Sequence, residues 1–294
     1  ALTEKDGRLY GRGIADDKGA ALVTLYCLKA IKDSGVKGVN TLRAIYGTGE
    51  ETGMEDMENY FKKNPLPDMA FTPDSDYGIC FAEKGILQLE VSTLLNNATT
   101  LSQFHAGRAV NAVPDRAYVM LDSSDYDEQT LMRLADASDG DFEFNYTIDG
   151  LMIISRGKAA HACEPDKGYN AAAALVDLIS NVYTTKEGQT AKAVFEIRYP
   201  VTVSGNRVLK QFKKVAKISD LKVTVLNHEE PLYADKDSKL VKLLSDAYES
   251  VTGEKAELYS TGGGTYARML GGHGVAFGPA FQNDDVRMHN ADES

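Results

Sequence analysis

A strand, a glycine-flanked acidic loop and a helix follow one another without a linker over residues 40–62, and this succession most constrains the fold. Residues 40–46 alternate, with Leu42, Ala44 and Tyr46 on one side and β-branched Thr41 and Ile45 on the other, which predicts a strand. The loop Gly47-Thr48-Gly49-Glu50-Glu51-Thr52-Gly53 comes next, then a short helix predicted over 54–62 and a short buried strand over 69–72. Strand alternating with helix implies a largely parallel sheet, whose ligands bind beyond the carboxyl ends of the strands. Ahead of it, the turn Gly11-Arg12-Gly13 leads into a helix predicted over 18–32. Leu22, Leu25, Leu28 and Ile31 recur there at helical spacing and are expected to form its buried face.

The texture changes near residue 86. Strands are predicted over 86–93 and 117–121, with a loop rich in Asn and Thr between them, followed by a helix over 128–137. Two strands, 142–148 and 151–155, flank Asp149-Gly150, a strong hairpin signal. A helix over 170–182, a strand over 193–200, a helix over 208–217 and a strand over 221–226 complete an α+β segment. The chain then returns to a helix over 238–251 and strands over 257–260 and 275–278. The expected organisation is one α/β domain, residues 1–85 and 232–294, interrupted by a smaller α+β domain at 86–231.

The 294 residues carry a formal charge of −11, which argues against a nucleic-acid partner, since phosphate binding needs a basic face. No apolar run is long enough to cross a bilayer, so no membrane partner is expected. Cys27, Cys80 and Cys163 form no CxxC pair, which points to a reducing compartment and a cytoplasmic location. The chain opens at Ala1 without a methionine or signal peptide and stops abruptly at Ser294. It is expected to be trimmed at both ends.

Chemistry concentrates in three acidic segments. Asp16-Asp17 precedes a helix, where one carboxylate can cap free N–H groups and the other can reach a metal. Glu50-Glu51 places like charges in a glycine-flanked loop after a strand, as a solvated loop or as a site whose repulsion raises a pKa or requires a cation. If a cation is present, one carboxylate binds it and its neighbour accepts a proton from water. Asp74 follows the next strand in Pro73-Asp74-Ser75-Asp76, either as a turn or as a further ligand. With His289, these acids sit at ends of α/β elements, and such oxygen-plus-imidazole sets suit zinc or manganese.

The segments Gly11-Arg12-Gly13-Ile14-Ala15-Asp16-Asp17-Lys18-Gly19 and Gly49-Glu50-Glu51-Thr52-Gly53 resemble the dinuclear zinc metallopeptidases of aminoacylase and carboxypeptidase type. The resemblance continues through Asn111-Ala112-Val113-Pro114-Asp115, Ala160-His161-Ala162, Ile197-Arg198-Tyr199-Pro200, Gly262-Gly263-Gly264-Thr265-Tyr266 and Met288-His289. The Arg-Tyr-Pro and Gly-Gly-Gly-Thr-Tyr segments are most similar to the bacterial carnosinase-like (Xaa-His) dipeptidase branch.

That resemblance implies a catalytic domain interrupted by a ferredoxin-like lid domain. It also implies two Zn²⁺ per subunit, with Mn²⁺ or Co²⁺ as alternatives, in a monomer or homodimer. Asp16 would bridge the ions, Glu51 and Asp74 would each bind one, and His289 would complete the ligand set of the second ion. Glu50 would be the general base for a bridging hydroxide that attacks the peptide carbonyl. His161 would stabilise the oxyanion, and Asn111 and Arg198 would hold the substrate carboxylate. The implied activity is hydrolysis of dipeptides with a free N-terminus. The alternatives are an N-acyl-amino-acid amidohydrolase, or an inactive fragment serving assembly or binding.

The family pattern also calls for a His-x-Asp segment ahead of Asp16. None of the five histidines is followed two residues later by Asp, so that segment is expected before Ala1. The interval between His161 and Arg198 is short for the branch, which marks residues 184–190 as the place of a deletion or of missing residues. His105 is expected to be structural.

Overall fold

The structure, a computed structural model, describes residues 2–95, 101–121, 127–179 and 189–281. By internal packing the chain divides into two units, one comprising Ala1–Lys84 and Pro231–Ser294, the other Gly85–Glu230.

In the first unit the organising strand is Ile79–Glu83, with Ile79 and Cys80 fully buried. It pairs antiparallel with Leu232–Tyr233, parallel with Leu258–Thr261, and antiparallel with Gly274–Ala276 through Ala276 and Cys80. Gly274–Ala276 in turn pairs parallel with Ala70–Thr72. The sheet is therefore mixed, which corrects the expectation of a mainly parallel one. The reason lies in the connectivity. The chain leaves this unit just after Glu83 and re-enters just before Leu232, so the outgoing and returning strands lie side by side in opposite directions.

Helix Lys239–Thr252 covers this sheet, burying Val241 and Leu244 against Ile79 and Val275. Its ends are written in the sequence. Ser238 accepts a hydrogen bond from the Val241 N–H at 3.3 Å, and Gly253 leaves the helix at a φ of 77°.

Two expectations in this unit are overturned. Residues 41–46 form no strand among the described residues, because extended backbone becomes a strand only when a neighbour pairs with it. Leu42 and Tyr46 are exposed. Helix Gly19–Asp33 forms as predicted, but its apolar stripe is not buried: Leu22, Leu25 and Ile31 are all exposed, and only Ala20 is buried. Periodicity specifies the helix; burial also needs a second layer over the stripe.

The second unit contains two sheets. The first has the order Leu101–Ala106, Arg116–Leu121, Gly150–Arg156, Asp141–Thr147, antiparallel throughout. Strand Gly150–Arg156 lies between two strands joined by helix Glu128–Asp136, the arrangement of a split βαβ unit. Ala117, Val119 and Leu121 alternate inward with Leu151 and Ile153, and pack against Leu131, Leu175 and Leu178 of helices Glu128–Asp136 and Ala171–Ile179. The second sheet places Gly85–Leu95 between Gln189–Tyr199 and Lys222–Glu229. Leu87, Leu89 and Tyr199 form its core with Val208, Leu209 and Phe212 of helix Gly205–Ile218. Among the described residues no helix is long and apolar enough to cross a membrane.

Candidate active site

Three short segments of the first unit bring the acids together. Gly13, at a φ of 74°, opens the turn Ile14–Lys18, in which Asp16 (φ −121°, ψ 91°) and Asp17 (φ −137°, ψ 28°) are not helical. The cap position of helix Gly19–Asp33 is Lys18, which makes no side-chain cap bond, so the acidic pair lies ahead of the cap position itself. Glu50-Glu51 occupies a single tight turn, Glu50–Thr52, between Gly49 and Gly53. Asp74 lies between strands Ala70–Thr72 and Ser75–Asp76.

The electrostatics show how closely these segments converge. Burial, followed by the charges of Asp74, Glu51, Asp16 and Glu83, pushes the Glu50 carboxyl up to about 8. Burial, then Asp74 and Asp16, pushes Asp17 up to about 7. Carboxylates crowded in this way cannot all ionise without a counter-charge.

In the second unit, Asn111 and His161 lie on facing backbone segments. Ala112 and His161 form an antiparallel bridge, and the Ala162 N–H donates to the Asn111 carbonyl at 2.8 Å. The Cys163 N–H donates to His161 Nδ1 at 3.2 Å, and Cys163 Sγ lies 2.9 Å from the same nitrogen. A backbone N–H can only donate, so Nδ1 is the acceptor and the neutral ring carries its proton on Nε2. Arg198, on strand Gln189–Tyr199, directs Nε and Nη2 at Glu196 Oε1, at 2.8 and 2.7 Å. His105 stacks at 5.5 Å on Tyr118.

The family model for peptidase family M20/M25/M40 matches residues 1–294. The chain belongs to this family. M20 peptidases are metallopeptidases, and the protein is a hydrolase of peptide bonds. Its relatives include a putative dipeptidase, YtjP, of Bacillus subtilis, 31% identical over 98% of this chain and 73% of the relative. A Beta-Ala-Xaa dipeptidase of Lactobacillus delbrueckii subsp. lactis is also 31% identical, over 99% of this chain and 72% of its own. Two solved structures share the fold. They are the M20 metallo-carboxypeptidase Sso-CP2 of Sulfolobus solfataricus (TM-score 0.57, 17% identity, 99% of this chain and 74% of that one) and human carnosine dipeptidase 1 (TM-score 0.53, 14% identity, 100% and 70%).

The donor chemistry of this M20 chain fits a divalent cation. Besides the crowded carboxylates, Asp17 Oδ1 is buried with no hydrogen-bond partner among the described residues. Such an orphaned oxygen is costly unless a proton or a cation satisfies it. Among the described residues, however, no three His, Cys, Asp or Glu side chains form a closed ligand set. His289, the expected fourth ligand, lies outside the described residues, as do residues 184–188 of the expected deletion.

The raised acids make the metal-free protein sensitive to pH in one direction. Asp17 rises from 3.8 to about 7 and Glu50 from 4.5 to about 8, so between those limits the folded chain holds protons that the unfolded chain has lost. Their contribution to stability is complete below the lower values and disappears as pH passes the upper ones. Thermal melts should therefore show Zn²⁺ raising the midpoint much more at about pH 8 than at about pH 5. A zinc effect that shrinks with rising pH would contradict the crowding.

Three residues outside the quoted motifs, Glu83, Arg268 and Asp56, support the first unit's site together with Thr265 and Tyr266 of the Gly-Gly-Gly-Thr-Tyr segment. Glu83, buried in the organising strand, accepts from the Thr265 hydroxyl at 2.7 Å and pairs with Arg268 at 2.8 Å. Asp56 and Tyr266 hold the loop before Glu50. Of the three residues outside those motifs, Glu83 carries the sequence signal, as an acid after the apolar run Ile79-Cys80-Phe81-Ala82.

Proposed function

We propose that the protein is a zinc-dependent dipeptidase that releases the first residue of dipeptides with a free N-terminus. The observation that carries this reading is the crowded acid cluster around Glu50 in a chain of this peptidase family. The dipeptidase names of relatives 31% identical across nearly the whole chain support the substrate class.

In this reading Asp16, Glu51, Asp74 and His289 hold two zinc ions, with Mn²⁺ or Co²⁺ as alternatives. When bound, such ions polarise the scissile carbonyl and make water acidic enough to attack at neutral pH. Glu50 takes the proton from the attacking water and returns it to the leaving amine. Without metal, burial and then the neighbouring acids raise this carboxyl; cations bound by those acids would offset their part and favour the carboxylate that accepts the proton. His161 donates from Nε2 to the developing oxyanion, in the tautomer that the Cys163 amide selects. Asn111 and Arg198 hold the substrate carboxylate, which suits the planar fork of an Arg guanidinium, here oriented by Glu196 through Nε and Nη2. Residues 86–231 act as the lid domain between catalytic segments 1–85 and 232–294. The same reading places the enzyme in the cytoplasm, where the free thiols of Cys27, Cys80 and Cys163 stay reduced.

The test is substrate discrimination. The full chain should hold about two zinc ions by mass spectrometry and cleave β-alanyl-histidine or another dipeptide in preference to its N-acetylated form. Preference for the acetylated compound would overturn the reading in favour of an N-acyl-amino-acid amidohydrolase.

A further inference from the structure

The loop that carries Glu50 is tied to two side chains that none of these roles uses. Asp56, in helix Glu55–Phe61, collects the loop's amides. Its Oδ2 accepts from Thr48 N–H at 2.6 Å and Gly49 N–H at 3.0 Å, and its Oδ1 from Met57 N–H at 2.8 Å. Tyr266 donates its hydroxyl to the same Oδ2 at 2.8 Å and accepts from the Gly49 N–H at 3.0 Å. One amide, that of the residue just before Glu50, is thus shared between a carboxylate and a phenol. Desolvation opposes the ionised form of Asp56, but the donors outweigh it and hold the carboxyl below its usual range.

The glycines give an independent view of the same contact. A Cβ on Gly47 would run into the Tyr266 ring, and one on Gly49 would stand 2.9 Å from Asp56 Oδ1. Both glycines are needed because the loop backbone lies directly against these two groups. The far end of the latch is anchored as well. Tyr266 opens the turn Tyr266–Leu270, and Thr265 and Arg268 on either side of it bond to the buried Glu83.

We infer that Asp56 and Tyr266 are positioning residues for Glu50, a latch that fixes the direction of the base-bearing turn. The inference deepens the proposed mechanism and rests on Glu50 being its base. The physical need is plain: a displacement of about 1 Å in a catalytic group can cost about 10²-fold in rate, and the loop's own turn bonds, such as Met54 N–H to the Gly49 carbonyl at 2.8 Å, fix its shape but not its direction.

Tyr266→Phe tests this by removing one hydroxyl while keeping the ring. Amide exchange at Thr48 and Gly49 should quicken about tenfold, and kcat should fall by a similar factor with KM within about twofold. Asp56→Ala, which removes three amide bonds as well as the phenol's acceptor, should exceed both effects. Asp56→Asn keeps an acceptor oxygen and should recover part of them. If Asp56→Ala does not fold, Tyr266→Phe and Asp56→Asn still decide the matter. Unchanged exchange at Thr48 and Gly49 would refute the latch, and faster exchange with unchanged kcat would refute its positioning role. Should the wild type hydrolyse no dipeptide, the dipeptidase reading fails while the exchange measurement still judges the latch.

Discussion

Glu50→Gln should lower dipeptide hydrolysis by about 10²–10⁴-fold, the usual contribution of a positioned acid–base group, while leaving the bound metal in place. The substitution keeps the shape of the side chain and removes only its ability to take a proton. It should also stabilise the metal-free protein. Glu50 is disfavoured as an anion by burial and by Asp74, Glu51, Asp16 and Glu83, and a neutral amide escapes that repulsion. The gain should be largest near and above about pH 8, where the wild-type carboxyl is forced to ionise, and absent well below 4.5, where both side chains are neutral. Activity lost and stability gained at one position is the signature of a functional acid held at a structural cost. Kinetics and thermal melts on the same preparations check both halves. Wild-type activity in the variant would remove Glu50 from the mechanism, and an unchanged high-pH melting midpoint would remove the crowding.

What could be read from the sequence divides along a physical line between local and distant causes. Helix Lys239–Thr252 is legible because its cap, its apolar spacing and its terminal glycine all lie within its own residues. The hairpin is legible for the same reason, although the turn residues are Ile148 and Asp149, with Gly150 already paired to Thr147. Strand Ile79–Glu83 is missed because a strand buried on both faces shows no alternation, only a short apolar run. Strand Leu101–Ala106 is missed for the opposite reason: at the edge of its sheet it keeps polar Ser102, Gln103 and His105. Residues 41–46 alternate correctly and still form no strand, since pairing belongs to the partner as much as to the segment.

The site follows the same division. Asp16, Glu50 and Glu51 are visible because adjacent acids near glycines are unusual in a loop, and Asp74 only through its place after the next strand; the charges of all four act together with Asp17 in the structure. Asp56 is invisible, and Tyr266 is visible only as a motif residue, because what marks their role is a bond spanning 210 positions in the chain. The tautomer of His161 depends on a backbone amide two residues on, which no residue type encodes.

Glu83→Ala should be the most destabilising single change in the first unit, costing about 3–5 kcal/mol, because it leaves the Arg268 guanidinium buried without its counter-ion. The side chains of the pair are 0% and 3% exposed, so water cannot take the missing partner's place. Thr265 loses both acceptors, of its N–H at 3.2 Å and its hydroxyl at 2.7 Å. Replacing both charges, as Glu83→Leu with Arg268→Met, should recover much of the loss, since a buried pair often contributes little net over apolar packing. Recovery should stop short of wild type, because Arg268 Nη2 also holds the Lys84 carbonyl at 2.5 Å and the Gly263 carbonyl at 2.9 Å. Chemical denaturation of the two single variants and the double variant measures the coupling directly. A small loss from Glu83→Leu, with Arg268→Met costing as much as the double variant, would mean that the carbonyl bonds, not the charge pair, hold the turn. The same series extends to the loop. Glu83→Ala should quicken amide exchange at Thr48 and Gly49 by loosening the turn that carries Tyr266. The coupling energy between the pair and the loop is reciprocal, so a cycle of Glu83→Ala with Tyr266→Phe measures it from either side, and a zero value would mean that the buried pair does not support the loop.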